Sequence, residues 1–239
     1  MAYQAVFKRY ELKYLLTKAQ KEHLLAVMEP YMALDQYGRT TIRNVYLDTD
    51  NYRLIRRSIE KPAYKEKIRL RSYRRAGAGS DIFVELKKKY KGVVFKRRLT
   101  LPEGQALAWA EGTRPAGQPS QIADEIDYFL RFYGRLNPAV YLCYDREAYY
   151  AKDGSDFRIT FDDTVLCRRA DMTLDSDPSG TPILPKDTVL REVKCSGGVP
   201  LWLTAVLTEE RIFKTSFSKY GTAYQTLIYP KLKEETTHV

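Results

Sequence analysis

Apolar and polar residues alternate over much of the chain, and an alternation of this kind predicts β-strands. Strands are predicted at residues 7–14, 42–48, 65–71, 82–88, 93–101, 140–148, 157–162 and 189–194. Nearly every predicted strand has one apolar and one charged face, and the turns between neighbouring strands favour antiparallel pairing. The pattern therefore predicts an antiparallel sheet that could close into a barrel with a charged interior.

Apolar residues spaced three or four positions apart predict helices between the strands. Thr17 and Gln20 fit a capping box, which opens the first helix, and Pro30 ends it. The other helices are predicted from about residue 50, near 103–111, after Ser120, and around 201–212 and 220–229. Together the elements predict an α+β fold in which helices cover an eight-stranded barrel. We expect one domain over residues 1–230 and a frayed tail over 231–239.

Charge narrows the classes of function. The chain has 239 residues with 40 Lys+Arg against 30 Asp+Glu, and its net charge of +10 favours a polyanionic partner. Two histidines and three cysteines without a CxxC pair argue against zinc sites, a Ser-His-Asp triad and disulfide scaffolds. They are His23, His238, Cys143, Cys167 and Cys195. No apolar run is long enough to span a bilayer, so we expect a cytoplasmic protein without a membrane span.

Basic residues are concentrated in residues 61–98, which hold fourteen Lys or Arg against three acids. Lys65, Lys67, Arg69 and Arg71 recur at every second position, so one face of a strand carries all four. A solvated outer surface is the better explanation for the basic residues that face the other way or lie in a turn. These are Lys88, Lys89, Lys91 and Arg97.

If the sheet closes, basic residues from most strands share its interior. They are Arg9, Lys13, Lys67, Arg69, Arg71, Lys87, Lys96, Arg98, Arg146 and Arg158. Like charges at low dielectric are costly without counter-charge, and phosphates match arginine forks well. Glu11, Glu85 and Glu192 lie among these cations and could bind a divalent metal together with phosphate oxygens. The pattern therefore favours phosphoryl chemistry.

Several short motifs occur in a recognisable order. They are RYELKY, KIRLRSY, FVELKKKYKGVVFKRR, YDREAY, FRITFDD, REVK and SFSKY. Over about residues 7–224 this set resembles the catalytic domain of the vacuolar transporter chaperone (VTC) family. That family belongs to the triphosphate tunnel metalloenzyme, or CYTH-like, superfamily.

The resemblance implies an eight-stranded antiparallel tunnel that binds nucleoside triphosphate and polyphosphate and moves the γ-phosphoryl group of ATP to a growing polyphosphate chain. It also implies a Mn or Mg cofactor. The catalytic residues implied are Arg69, Arg71, Lys87, Arg158 and Lys219. Further phosphate-binding residues are Arg9, Lys13, Lys67, Lys96, Arg98, Arg146, Lys194 and Ser218. The metal ligands are Glu192, Glu85 and Glu11.

Glu192 is the first choice for the metal, whereas Glu85 and Glu11 could instead form ion pairs with Lys87 and Lys13. Tyr46 and Asp48 resemble a structural signature of the superfamily and are given no catalytic role.

Alternatives to a polyphosphate polymerase remain at this point. Triphosphatases of the superfamily usually open with Glu-x-Glu-x-Lys, whereas this chain has Arg9 in place of the first Glu, which favours the polymerase. A triphosphatase or polyphosphatase is the first alternative. A non-catalytic polyanion-binding module is the second, and it predicts metal-independent binding with a steep salt dependence. Nucleic acid is not an expected partner, and the sequence leaves the oligomeric state open.

Overall fold

The computed structural model describes residues 7–237 apart from 78, 114–116 and 118, and of residues 7–9 and 235–237 it describes the backbone. One antiparallel sheet contains all eleven strands of this part of the chain. They are β1 (Phe7–Thr17), β2 (Met32–Leu34), β3 (Thr40–Asp48), β4 (Tyr64–Ser72), β5 (Asp81–Tyr90), β6 (Val93–Pro102), β7 (Asn137–Ala151), β8 (Arg158–Arg168), β9 (Thr181–Pro182), β10 (Thr188–Cys195) and β11 (Lys214–Thr215).

The strand order differs from the order along the chain. Hydrogen bonds connect β2–β7–β3–β4–β5–β6–β1–β10–β8–β9, and β11 pairs with β1. β7 also pairs with β8, so each of the eight long strands has a partner on both sides. The sequence predicts these eight strands but not β2, β9 and β11, which have only two or three residues each. Strands this short contain no measurable alternation, so the predicted count of eight is corrected to eleven.

Seven α-helices lie in the described part of the chain. They are α1 (Lys18–Met28), α2 (Arg53–Ile59), α3 (Glu103–Ala110), α4 (Gln121–Tyr133), α5 (Leu201–Glu209), α6 (Lys219–Ala223) and α7 (Tyr229–Thr237). A π-helical turn, Tyr224–Ile228, joins α6 to α7. The predicted α+β class is confirmed, as is the capping box of Thr17 and Gln20 at the start of α1.

The last helix reaches further than the sequence predicts. Residues 231–237 are helical instead of frayed, and Leu232 packs against buried residues of the π-helical turn and its neighbours. Residues 238–239 lie outside the described part of the chain. None of the described helices combines the length and the apolar character that a membrane span requires.

Helices cover the apolar faces of the long strands on two sides. α3 and α4 bury Trp109 and Phe129 against β4, β5 and β6. α1 and α5 bury Leu24 and Leu203 against β1, β8 and β10. The three cysteines are buried and free, as small core residues would be. Because both helix pairs occupy the apolar faces, the opposite, charged faces of the strands are free to form a site.

The C-terminal segment packs on the charged side of the sheet. Tyr220 of α6 stacks on Tyr46 of β3 with ring centroids 4.7 Å apart, and Ile228 of the π-helical turn belongs to the same buried cluster. Asp48 accepts hydrogen bonds from the Tyr220 hydroxyl, at 2.9 Å, and from two backbone amides at the start of α2. Asp48 and Tyr46 therefore anchor the segment that carries Lys219, and the structural role predicted for Asp48 is visible in its contacts.

Candidate active site

Charged side chains of seven strands and α6 meet on the charged face. We call this set the charged cluster: Glu11, Lys13, Lys67, Arg69, Arg71, Glu85, Lys87, Lys96, Arg98, Arg146, Asp162, Glu192, Lys194 and Lys219. Strand register produces much of this arrangement, because antiparallel partners on one face lie side by side. Glu85 of β5, for example, lies opposite Arg69 of β4 and Arg98 of β6.

Glu85 is surrounded by four basic groups. Its carboxylate accepts hydrogen bonds from Arg69 Nε at 2.9 Å and Arg98 Nε at 2.8 Å, and Lys96 Nζ lies 2.6 Å away. Arg71 Nε is 3.6 Å from the same carboxylate, which is only 1% exposed. Burial alone would raise the pKa of Glu85, but the charges of Arg71, Lys96 and Arg69 lower it well below its usual range. Glu85 is therefore anionic, and its carboxylate holds four basic side chains in place.

Phenol groups complete the hydrogen bonding of these arginines. Arg69 Nη1 donates to the Tyr46 hydroxyl at 2.8 Å, and Arg98 Nη2 donates to the Tyr73 hydroxyl at 2.9 Å. Arg71 donates to the Tyr144 hydroxyl at 3.2 Å. The sequence prediction missed all three contacts, because a strand pattern gives the face of a residue but not its partner.

A second group of charges joins β1, β5 and β10. Lys13 Nζ lies 3.2 Å from Glu11 and 3.3 Å from Glu192, and Lys87 Nζ donates to Glu11 at 2.7 Å. Lys194 is 3.7 Å from Glu192. Burial opposes the charged form of Glu192, yet Lys13 and the other cations around it lower its pKa well below the usual range. The two carboxylates, Glu11 and Glu192, thus share one ammonium group.

Asp162 of β8 organises a third group. Its two oxygens accept hydrogen bonds from Arg146 Nε at 2.5 Å and Arg146 Nη2 at 2.6 Å, and from Lys219 Nζ at 2.5 Å. Lys219 also donates to Glu192 at 3.3 Å, which links this group to the second one. Asp162 was missing from the predicted site. The alternation of Arg158, Thr160 and Asp162 in FRITFDD was the signal that could have revealed it.

Residues 217–220 connect β4 with three neighbouring strands, β1, β10 and β8, that lie elsewhere in the sheet order. Lys13 of β1 donates to the Phe217 carbonyl at 3.0 Å, and Lys67 of β4 donates to the Ser218 hydroxyl at 2.9 Å. Lys219 contacts Asp162 of β8 and Glu192 of β10. One short segment therefore fixes the charged faces of four strands relative to one another.

Two predicted site residues, Arg158 and Arg9, stand apart from this arrangement, and Lys89 lies on a face that the sequence does not predict for it. Arg158 begins β8, is exposed, and lies beside Lys194 in the ladder. The backbone of Arg9 pairs with Val94, while its side chain lies outside the described residues. Lys89 was assigned to the outer surface, but it lies two residues after Lys87 and on the same face, so that assignment is wrong.

Two other basic residues face away from the charged cluster, as predicted, but they are partly buried instead of solvated. Lys88 and Arg97 form ion pairs with Glu125 of α4, at 3.4 and 2.9 Å, on the apolar side of the sheet. These pairs tie α4 to β5 and β6, which accounts for both cations without a role in the site.

The charge of the cluster is unbalanced. Among its described side chains, ten are basic and four are acidic, so the formal excess is six positive charges. Partly buried cations in such excess favour a bound polyanion, and guanidinium groups bind phosphate oxygens through paired hydrogen bonds. The arrangement can therefore hold several adjacent phosphates and stabilise negative charge that moves between them.

A divalent metal fits one part of the cluster. Glu11 and Glu192 converge on the same point, now occupied by Lys13 Nζ, and Mg²⁺ typically takes one or two carboxylates and completes its shell with phosphate oxygens and water. No group of three His, Cys, Asp or Glu suited to a metal is found among the described residues. Glu85 fits less well, because basic groups already bind both of its oxygens.

Sequence comparison identifies the family. The VTC domain family matches residues 8–228, which is nearly the whole chain, and the protein therefore belongs to this family. This confirms the family that the order of motifs indicates. No curated protein sequence matches the chain significantly.

Two solved structures with a similar fold are from Bacillus halodurans and Hippeastrum. A candidate adenylate cyclase from Bacillus halodurans has a TM-score of 0.57 and 15% identity, over 94% of this chain and 100% of that chain. The candidate adenylyl cyclase HpAC1 from Hippeastrum, which has a dominant triphosphatase activity, has a TM-score of 0.57 and 15% identity over 92% and 96%. At this identity the likeness establishes a shared fold alone, and the activities remain those of the neighbours.

Proposed function

We propose that the protein is a metal-dependent phosphotransferase that moves the γ-phosphoryl group of ATP, or of another nucleoside triphosphate, to the end of an inorganic polyphosphate chain. The observation that carries this proposal is the excess of six formal positive charges in the charged cluster. Polyphosphate carries negative charge on each phosphate, so a cluster with an excess of Lys and Arg complements it. Membership of the VTC domain family supports the same chemistry.

We further propose that the eight long strands enclose the charged cluster as a tunnel. The pairing of β7 with β8 and the contacts of residues 217–220 with four strands support this arrangement. An enclosed path would exclude bulk water from the reacting phosphates, and exclusion of water favours transfer to phosphate over hydrolysis.

The residues have distinct proposed roles. Arg69 and Arg71 bind the non-bridging oxygens of the transferred phosphoryl group, and Lys87 and Lys219 neutralise the charge that develops on the oxygens beside it. Arg158, exposed at the start of β8, captures phosphate at the rim. Phosphoryl transfer needs little covalent help, so positioning and charge suffice. Further phosphate contacts are assigned to Arg9, Lys13, Lys67, Lys96, Arg98, Arg146, Lys194 and Ser218.

Glu192 is the proposed ligand for Mn or Mg, and Glu11 is the second ligand. A bound divalent ion would neutralise charge on the phosphates during transfer. Lys13 Nζ lies between the two carboxylates, so its ammonium group must turn towards substrate phosphate when a metal enters. Glu85 is assigned the role of ion-pair partner for the surrounding arginines.

Hydrolysis of ATP or short polyphosphate is the second candidate function. The side chain of Lys87 is 39% exposed, so solvent reaches one part of the charged cluster. Water in the place of the acceptor phosphate would make the same residues a triphosphatase.

Metal-dependent turnover of ATP by wild-type protein and two sets of variants tests the site. We expect Arg69→Ala with Arg71→Ala, and Glu192→Gln, to lower turnover by about 100-fold or more, since the arginines are proposed to bind the transferred group and Glu192 the metal. Arg39→Ala is the matched control, because Arg39 pairs with Asp145 and Asp163 outside the cluster. Unchanged turnover in the folded site variants would contradict the assignment, and absence of turnover in wild type would favour a binding module.

A further inference from the structure

Asp162 is the carboxylate of the charged cluster to which the proposed function gives no task. Its side chain is completely buried and is bonded by both Arg146 and Lys219. Burial alone would raise the pKa of Asp162, yet Arg146 and Lys219 lower it, so the group is anionic. A buried carboxylate with three charge-assisted hydrogen bonds has little capacity left for a metal or a substrate.

Glu192 is the neighbour whose behaviour depends on Asp162. Four cations approach Glu192: Lys13 and Lys219 at 3.3 Å, and Arg146 and Lys194 at 3.7 Å. Two of these four, Arg146 and Lys219, lie about 1 Å closer to Asp162 than to Glu192. Asp162 thus competes with Glu192 for the same two cations and holds them.

We propose that Asp162 is a positioning residue that draws Arg146 and Lys219 towards itself, weakens their contacts with Glu192 and thereby leaves Glu192 able to bind a divalent cation. The inference rests on the proposed metal-dependent function. Its physical basis is competition, because a carboxylate that is fully neutralised by ammonium and guanidinium groups must break those contacts before it binds a metal. Without the charge of Asp162, both cations would turn to Glu192 as the nearest remaining carboxylate.

Direct measurement of Mn²⁺ binding tests this inference without any substrate. The signal of free Mn²⁺ in electron paramagnetic resonance gives the dissociation constant for the purified protein. We expect Asp162→Asn to raise the dissociation constant by about tenfold or more, as loss of a residue that supports a metal ligand commonly does.

Asp163→Asn is the matched control for charge. Asp163 is the next residue of β8, faces the other way, and pairs with Arg39. Its loss removes the same charge from the same strand, so we expect less than about a threefold change in the dissociation constant. An equal effect of both variants would overturn the inference, because net charge alone would then explain it.

The Lys219→Met background shows whether Asp162 acts by holding Lys219 or by binding the metal itself. If Asp162 acts by holding Lys219, the Asp162→Asn substitution should raise the dissociation constant much less when Lys219 is already Met. If the increase is the same in both backgrounds, Asp162 acts in another way and the inference is wrong. Should Asp162→Asn fail to fold, Lys219→Met alone is still informative: we expect tighter Mn²⁺ binding, and an unchanged constant contradicts the inference.

The inference and the proposed function fail in different ways. Wild-type protein that binds no Mn²⁺ in the absence of phosphate would overturn the inference, because Glu192 would then not be available to a metal, while the metal dependence of ATP turnover tests the proposed function separately. Equal dissociation constants for Mn²⁺ in wild-type protein and Asp162→Asn would overturn only the role of Asp162. Thermal unfolding of each variant shows whether the comparison is between folded proteins.

Discussion

Lys67 differs from the other lysines of the charged cluster because no carboxylate among the described residues lies within ion-pair distance of its ammonium group. Its Nζ donates to the Ser218 hydroxyl and lies 5.8 Å from the centre of the Tyr220 ring. Burial, followed by the charges of Lys13 and Lys87, lowers the pKa of Lys67 to about 7. At pH 8 most of this amine is therefore neutral while the site is free of anions.

Binding of a phosphate chain should protonate Lys67. A nearby polyanion favours the charged amine and raises its pKa, so at pH 8 the protein takes up protons when tripolyphosphate binds. Calorimetry in buffers of different ionisation enthalpy measures this uptake. We expect Lys67→Met to reduce it and Lys65→Met, a variant of the same strand, to leave most of it. Equal uptake in wild type and Lys67→Met would refute the assignment.

Glu85 shows what a buried counter-charge does for stability. Glu85→Gln would leave four cations around a neutral amide, and we expect a loss of roughly 3–5 kcal/mol in the free energy of unfolding. Tripolyphosphate should restore more stability in this variant than in wild type. Urea unfolding measures both effects. Glu125→Gln, which breaks partly exposed pairs, is the control and should cost less than about 1 kcal/mol.

For single residues, the sequence predicts the strand face of a side chain better than its ion-pair partner. Alternation placed Arg69, Arg71, Lys87 and Glu192 on the charged face, and the structure brings them together. It could not predict that Glu85 binds Arg69 and Arg98 instead of Lys87, because a partner depends on which strands pair and in which register.

Among the secondary-structure elements, β10 carries charged residues on both faces of the sheet. Glu192 and Lys194 lie on its charged face, whereas Arg191 lies on the apolar face beneath α1 and α5, fully buried. The Arg191 guanidinium lies 4.1 Å from the centre of the Tyr14 ring, and none of its nitrogens hydrogen-bonds a described residue. Burial lowers its pKa to about 10, which reflects the cost of keeping this charge in an apolar layer.

Replacement of Arg191 by an apolar residue should therefore stabilise the protein. We expect Arg191→Met to raise the free energy of unfolding by about 1 kcal/mol, because a buried charge without hydrogen bonds is less favourable than a well-packed side chain. Urea unfolding at pH 7 measures the change. A decrease of more than about 1 kcal/mol would show that the guanidinium is needed for packing or for a polar contact.

Element prediction failed where the elements are short or depend on tertiary contacts. The two-residue strands β9 and β11 contain too few positions for a pattern. The helical continuation through residues 231–237 depends on Leu232, which packs against a buried cluster formed by distant segments. The long strands and α1, by contrast, carry their signals locally in alternation and in the Thr17 cap.

At the scale of the whole molecule, the charge distribution matters more than the net charge of +10. The sequence already indicated a polyanionic partner from that charge. What it lacked was the path of residues 217–220, which join strands from different parts of the sheet order around one cluster. This cluster is the proposed site of phosphoryl transfer to polyphosphate.

The most direct test follows the label of [γ-³²P]ATP with Mn²⁺ and a short polyphosphate primer. Gel electrophoresis separates labelled polyphosphate from labelled orthophosphate. We expect the label in chains longer than the primer, and loss of that product in Glu192→Gln. Label found only in orthophosphate would contradict the polymerase and favour hydrolysis, while label that stays in ATP would contradict phosphoryl transfer altogether.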